Sequence, residues 1–295
     1  MADLRDLLKV DPGTLRLADI DPRATPGLPS KRTVGKDPKL WSAEAVADIS
    51  TELGSYQEKL FASAKEGATN RRVVLLLQAM DCGGKDGTVR NVTAGMSPAG
   101  LKAVGFGPPT KEELSHNFLW RIRRALPPSG YVGIFNRSQY EDVLVVRVHN
   151  LVPDKVWSKR YDEINAFEAK ESSDGLTIVK VMLHISHEEQ KKRLLARLDD
   201  PTKTWKYNPG DLAERARWTD YQQAYEDALN KCSTEATPWY VVPADRKWYR
   251  KWYRKWYRNW AVANLLHQAF GDLNPQYPPP DFDVAAERAE LSKAA

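Results

Sequence analysis

The sequence predicts an α/β fold with a mostly parallel, doubly wound, five-stranded sheet, and three observations carry that expectation. Five short apolar segments are separated by longer stretches with helical spacing. The first of them, residues 73–77, reads Val-Val-Leu-Leu-Leu, a continuous run that suits a strand buried on both faces. It leads at once into a glycine-rich turn and then into another helical pattern. Strands that alternate with helices pair in parallel, because each crossover returns the chain to the same end of the sheet.

Residues 1–37 are rich in Pro, Asp and Arg, have little periodicity, and read as an arm laid over a domain. Residues 38–65 are helical, since Trp41, Val46, Ile49, Leu53, Tyr56, Leu60 and Phe61 recur at three- and four-residue steps. The strand at 73–77 and the turn at 79–87 follow, and a helix is expected from Thr88 to Ala94. Residues 101–106 read as a second strand. Residues 110–126 read as one helix, with Thr110 as N-cap and Glu113 at the capping-box position. Pro127-Pro128-Ser129-Gly130 stop it. Further strands are expected at 131–135, 177–185 and 239–242, with helical patterns between them. The tail after Phe270 is Pro-rich and ends in an Ala/Glu/Lys stretch expected to fray.

Hydrophobic residues make up 42% of the chain and charged residues 28%, which excludes a disordered chain. No apolar run reaches the roughly 20 residues that span a bilayer, and residues 1–6 lack the layout of a signal peptide. Cys82 and Cys232 make neither a disulfide framework nor a zinc spacing, so a cytoplasmic location is expected. The net charge of +5 points to polyanionic partners. Much of it is local, however. Residues 247–258 read KWYR three times, with six cations and no acid, and without two of those copies the net charge falls by four, to +1. The placement of individual cations therefore says more than the total.

The turn 79–87 reads Ala-Met-Asp-Cys-Gly-Gly-Lys-Asp-Gly. A strand, a glycine-rich loop with a lysine and then a helix is the P-loop arrangement: backbone N–H groups, the helix dipole and Lys85 converge on phosphate. Two positions depart from the usual pattern, Ala79 in place of the first Gly and Asp86 in place of Ser or Thr. The plainer alternative is a glycine-rich turn with a surface lysine. Cys82 reads as a small filler, with a reactive thiol as the alternative. The third strand ends in Asn136-Arg137-Ser138-Gln139-Tyr140-Glu141-Asp142, where a P-loop fold places its acidic Walker B residue. Arg137 has the fork geometry for phosphate oxygens. Here the plainer alternative is a polar loop that caps a helix.

Five segments together resemble the polyphosphate kinase 2 family: residues 79–87; His116-Asn117-Phe118-Leu119-Trp120-Arg121; residues 134–148; Asp200-Pro201-Thr202-Lys203-Thr204-Trp205-Lys206; and residues 238–245. The resemblance runs in order from about residue 15 to residue 270, apart from the repeat. It implies a thymidylate-kinase-like P-loop fold, Mg²⁺ dependence with Mn²⁺ as an alternative, polyphosphate as phosphoryl donor and a nucleotide as acceptor. It makes Asp81 a metal-organising carboxylate, Lys85 the phosphate-binding lysine and Arg137 a phosphate grip. It places Arg193, Arg197, Lys203 and Lys206 in a mobile lid. Many family members have Asp where this chain has Asn136. The Asn-Arg-Ser and Tyr-Glu-Asp run resembles the subgroup that accepts both nucleoside mono- and diphosphates. The expected metal ligands are Asp81, Asn136 and Glu141. Gly83, Gly84, Asp86, Arg90 and Arg121 complete the expected phosphate-binding set; Asn136, Ser138, Tyr140, Glu141 and Asp245 form the expected nucleotide-binding set. The assignment of Asp245, with Lys247 beside it, rests on fold analogy. The expected organisation is an arm and helix at 1–70, a P-loop kinase domain at 71–270 with a helical lid at about 190–217, and a tail at 271–295.

The implied reaction transfers a phosphoryl group to the terminal phosphate of AMP or ADP, giving ADP or ATP. The attacking oxygen is already ionised, so the chemistry asks for cations and metal-binding carboxylates, and for no general base. The five histidines fit: they are scattered, and His116 reads as a structural hydrogen-bonding residue. The segment Arg193 to Arg217 suits a lid, with a solvated helical hairpin as the alternative. The KWYR repeat reads as a duplication tolerated on an exposed helix, as a sequence irregularity, or as a stripe that binds polyanion. A homo-oligomer is expected, and neither a membrane nor nucleic acid is an expected partner. Two other functions stay open: an ATP-using nucleotide or small-molecule kinase on the same scaffold, and a basic nucleic-acid-binding protein with a degenerate P-loop.

Overall fold

The apolar run at 73–77 is at most 2% exposed, and it forms the centre of the sheet. A computed structural model describes residues 3–245 and 256–294. The strands are β1 (Arg72–Gln78), β2 (Leu101–Gly105), β3 (Val132–Asn136), β4 (Leu176–His184) and β5 (Trp239–Pro243). They lie in the order β2-β3-β1-β4-β5, and every neighbouring pair is parallel. The chain first builds outward on the β3 side of β1 and then crosses to the β4 side. This reversal opens a crevice at the carboxyl ends of the central strands, where α/β folds bind ligands. Leu77 pairs with Asn136, so the segments that leave β1 and β3 emerge side by side.

The helix Pro38–Lys65 packs along the helix Trp256–Leu273. Trp41 meets Trp260 at 5.8 Å, and Tyr56 stacks on Phe270 at 5.8 Å. The arm is held by its backbone: the Val10 amide donates to Trp239 O at 2.9 Å, and Lys9 makes an antiparallel bridge to Tyr240. No helix of the described residues is long and apolar enough to cross a membrane.

Three local expectations change. The helix after the turn begins at Lys85 rather than Thr88, so the turn is shorter and the lysine lies in the first helical turn. The single helix expected over 110–126 is two, Lys111–Leu114 and Trp120–Ala125. The Thr110–Glu113 capping box forms. Asn117 interrupts the helix, because its side-chain oxygen accepts the Leu119 amide at 2.9 Å in a local turn that competes with helical pairing. The C-terminal stretch expected to fray is the helix Val284–Lys293, capped by Asp283 and exposed along its length. The extended helix expected through residues 247–255, and the contact expected of Lys247, lie outside the described residues.

Candidate active site

The turn after β1 is built on close packing. A Cβ on Gly83 would stand 2.3 Å from the Ala79 Cβ and 2.9 Å from Met80 O, so only glycine fits there. Cys82 and Arg137 both have left-handed backbones, with φ of 63° and 67°. Non-glycine residues adopt that region at a cost, and such residues cluster at ligand sites. The helix Lys85–Val92 points its first-turn N–H groups, which lack intrahelical acceptors, along the crevice. Cys82 is the filler: burial pushes its thiol pKa up, against a reactive thiolate.

Lys85 is half-buried, and its ammonium donates to Ala79 O at 3.1 Å. Burial pushes its pKa down, Asp81 opposes that and Arg137 adds to it. Arg137 reaches Asp81 at 3.2 Å and Glu141 at 3.7 Å. Burial raises the Glu141 pKa, against the pull of Arg137 and Lys85. A second chain of contacts runs along the outer side. Asn136 donates to Asp86 at 2.9 Å, and Lys206 pairs with the other Asp86 oxygen at 3.2 Å. Burial works to raise the Asp86 pKa, but the hydrogen bonds from Lys206 and Asn136 outweigh it and hold the carboxyl below its ordinary value. The structure thus brings Asp81, Lys85, Asp86, Asn136, Arg137, Glu141 and Lys206 to one place.

Other expected residues sit elsewhere. Arg121 is buried, donates to Gly107 O at 2.9 Å and lies near Glu113, Asp142 and the Phe106 ring, so it braces a loop and does not reach the cradle. Ser138 and Tyr140 are fully buried, which corrects their place in the nucleotide set. Ser138 accepts from Gln78, and the Tyr140 hydroxyl donates to Glu168 at 2.8 Å. Asp245 is 4% exposed and is used up on Ser186, whose amide and hydroxyl both donate to it; it anchors the start of a helix. Arg193 is 5% exposed and donates to Cys82 O and Gly83 O, so here it lies buried beneath the turn and not on an exposed face of the lid segment. Arg197 donates to Lys206 O at 2.9 Å, and Lys203 pairs with Asp200. Arg90 is exposed and lines a groove with Asp86, Val89 and Asn136. His116 stacks on Trp120 at 4.2 Å instead of serving through hydrogen bonds.

The segment read as a mobile lid lies against the site here, with Lys206 bridging to Asp86 of the cradle helix. Beside the cradle lies a cleft of about 160 Å³, lined in part by Asp81, Arg137, Glu141, His149, Glu214 and Tyr221. The last three form a network: His149 lies 3.0 Å from Glu214, and the Tyr221 hydroxyl donates to Glu214 at 2.6 Å. No sequence spacing announces this cluster, since its members are brought together from separate helices.

A family model described as "Polyphosphate kinase 2 (PPK2)" matches residues 42–262. The chain is 46% identical to an AMP/ADP-polyphosphate phosphotransferase of Meiothermus ruber, over 82% of this chain and 86% of that one. It is 47% identical to an ADP-polyphosphate phosphotransferase of Rhodopseudomonas palustris, over 66% and 70%. A crystal structure of polyphosphate kinase 2 from Arthrobacter aurescens TC1 superimposes with a TM-score of 0.90 at 48% identity, covering 99% of this chain and 97% of that one. With a P-loop turn on a five-stranded parallel sheet and these likenesses along most of its length, the chain belongs to the polyphosphate kinase 2 family.

Proposed function

We propose that this protein is a Mg²⁺-dependent phosphotransferase that moves phosphate between inorganic polyphosphate and AMP or ADP. One observation carries the reading: Lys85, Arg137 and the first-turn amides of the helix Lys85–Val92 converge with Asp81 on one glycine-built turn. The names of the similar relatives support both polyphosphate and AMP or ADP as substrates.

The terminal oxygen of the nucleotide attacks the end phosphorus of the chain. The bridging P–O bond breaks, and the shortened chain leaves as an anion. The nucleophile is already ionised, so the protein's task is alignment and neutralisation. Lys85 and the turn amides hold phosphate oxygens, and Arg137 grips a second set in its fork. Arg197, Lys203 and Lys206 lie on the segment that closes the site. Among the described residues no three acid, His or Cys groups form a metal cage. Magnesium on phosphates needs only one or two carboxylates, so Asp81 and Glu141, both beside Arg137, fit it, with the Asn136 oxygen as a third donor. When bound, the ion would neutralise charge on the transferring group.

The test is to incubate the pure protein with polyphosphate, Mg²⁺ and AMP or ADP, with ATP absent, and to identify the products. ADP and ATP formed at the expense of polyphosphate is the expected result. Product formed only when ATP is the donor would replace this reading with an ATP-dependent kinase.

A further inference from the structure

Beneath the phosphate turn lies a second arginine that the proposed chemistry does not use. Arg258 is 1% exposed, on the helix Trp256–Leu273. Its guanidinium takes the Asn259 side-chain oxygen at 2.7 and 3.2 Å and lies 3.5 Å from Gly83 O. Among the described residues no carboxylate pairs with it. Its buried neighbour Arg193 has Glu189, and it donates to Cys82 O at 2.9 Å and to the same Gly83 O at 3.0 Å.

Two consequences follow from elementary geometry. In a trans peptide the C=O and the following N–H point in opposite directions. Drawing Gly83 O down onto two guanidiniums therefore turns the Gly84 N–H up, toward the side that receives phosphate. Gly87, in the first turn of the cradle helix, has the Arg258 guanidinium as its close neighbour: a Cβ there would stand 3.3 Å from it. Glycine weakens a helix, and here it leaves room for the cation.

A buried charge without a counter-ion is costly unless something compensates it. Burial and then the charge on Arg193 both press the Arg258 pKa down, yet a guanidinium keeps its proton. Among the described residues nothing supplies that counter-ion, and a polyanion on the turn directly above would supply it.

We propose that Arg258 is a positioning residue for the phosphate turn, holding the Gly83 carbonyl inward and lending the cradle a positive charge that bound phosphate neutralises. This rests on the phosphate-binding reading of the turn. It also gives the third KWYR copy, described from Trp256 on, a place in the fold. That copy is built into the core: the Tyr257 hydroxyl donates to Pro26 O at 2.7 Å, and Ser42 donates to Trp256 O at 3.0 Å.

The experiment compares R258K, R258Q and R258M, with Lys85→Ala as reference. It reads thermal stability, the affinity for inorganic tripolyphosphate and the polyphosphate KM. R258K, which keeps the charge, stays within about threefold of the parent in both phosphate measurements. R258Q and R258M lose at least tenfold in tripolyphosphate affinity while their melting temperatures hold or rise, because the uncompensated charge is gone. Parental tripolyphosphate affinity in a folded R258Q or R258M overturns the proposal. So does failure of both neutral variants to fold, which would make Arg258 a residue of the fold alone. If Lys85→Ala also leaves tripolyphosphate affinity unchanged, the phosphate-binding reading of the turn falls with it. If Lys85→Ala loses affinity and R258M does not, only the role of Arg258 falls.

Discussion

Two clusters of charge lie at the centre of this sheet and have opposite fates. Behind β3 and β4, Lys180 and Glu168 are wholly buried, with Nζ and Oε2 2.5 Å apart. Lys180 also meets the Tyr140 hydroxyl at 3.0 Å, Cys232 O at 2.6 Å and Thr237 Oγ1 at 3.3 Å. Gln139 and Thr237 donate to Glu168 as well. Charges balance, and no side of the pair faces solvent. At the carboxyl ends of β1 and β3 another pair of acid and base stands half open: the Asp81 and Arg137 side chains are 35% and 37% exposed. Lys85 there lies under a helix N-terminus that adds positive potential. The closed cluster specifies a core, and in the proposed function the open one receives a polyanion. Residue type does not separate them; burial and the number of satisfied donors do.

The largest effect should come from breaking the closed cluster. Lys180→Met leaves Glu168 buried without its cation and should destabilise the protein by about 3–5 kcal/mol. Adding Glu168→Leu should recover much of that loss. Urea unfolding of the parent, the single and the double variant measures it. A single variant as stable as the parent would mean that the pair is not needed.

Next come Lys85→Ala and Arg137→Ala, each expected to lower kcat/KM by about 10²-fold or more, on the scale of a lost transition-state contact. The stability of Lys85→Ala should move the other way or not at all, whereas Arg137→Ala should lose some stability, because, against burial, its pairs with Glu141 and Asp81 hold its pKa up. The folded Lys85 pKa is lowered, chiefly by burial, so its stabilising contribution is present above the ordinary lysine value near 10.5 and lost as pH falls through the lowered folded value. At neutral pH the charged lysine therefore works against folding. Strong loss of stability with activity retained would assign Lys85 to the fold.

The smallest effect concerns Glu141. Its folded pKa is raised above 4.5 by burial, so its contribution to stability is present below 4.5 and lost as pH rises through the raised value. Activity is expected to have the opposite sign, since ionised Glu141, together with Asp81, pairs with Arg137. The acid limb of kcat/KM should lie above the ordinary glutamate range, and Glu141→Gln should remove that limb while holding or raising the melting temperature at pH 7. An acid limb unchanged in Glu141→Gln would free Glu141 from that role.

The sheet was legible in the sequence because buried parallel strands read as continuous apolar runs, and the turn 79–87 because glycine and lysine spacing is local. Tyr140 and Ser138 were misplaced for a physical reason. They follow Arg137 within three residues, but the chain turns inward there, with Arg137 at positive φ, and buries both. Arg193 looked like a surface cation on a charged helix, yet it faces the turn. Lys180 stands inside an apolar strand, and its partner Glu168 comes from the helix Arg160–Ser173; no spacing announces such a pair. The same holds for the His149–Glu214–Tyr221 network, whose members meet only in the folded chain.

The measurement that bears most directly on an open, phosphate-binding cradle is amide hydrogen exchange with and without polyphosphate. The first-turn amides of the helix Lys85–Val92 are the groups that would donate, and Lys206 ties the segment 190–217 to them through Asp86. Exchange should slow at residues 84–88 and across 190–217 when polyphosphate is added, with no change along β4 around Lys180. Unchanged exchange at 84–88 under saturating polyphosphate would contradict a phosphate-binding cradle.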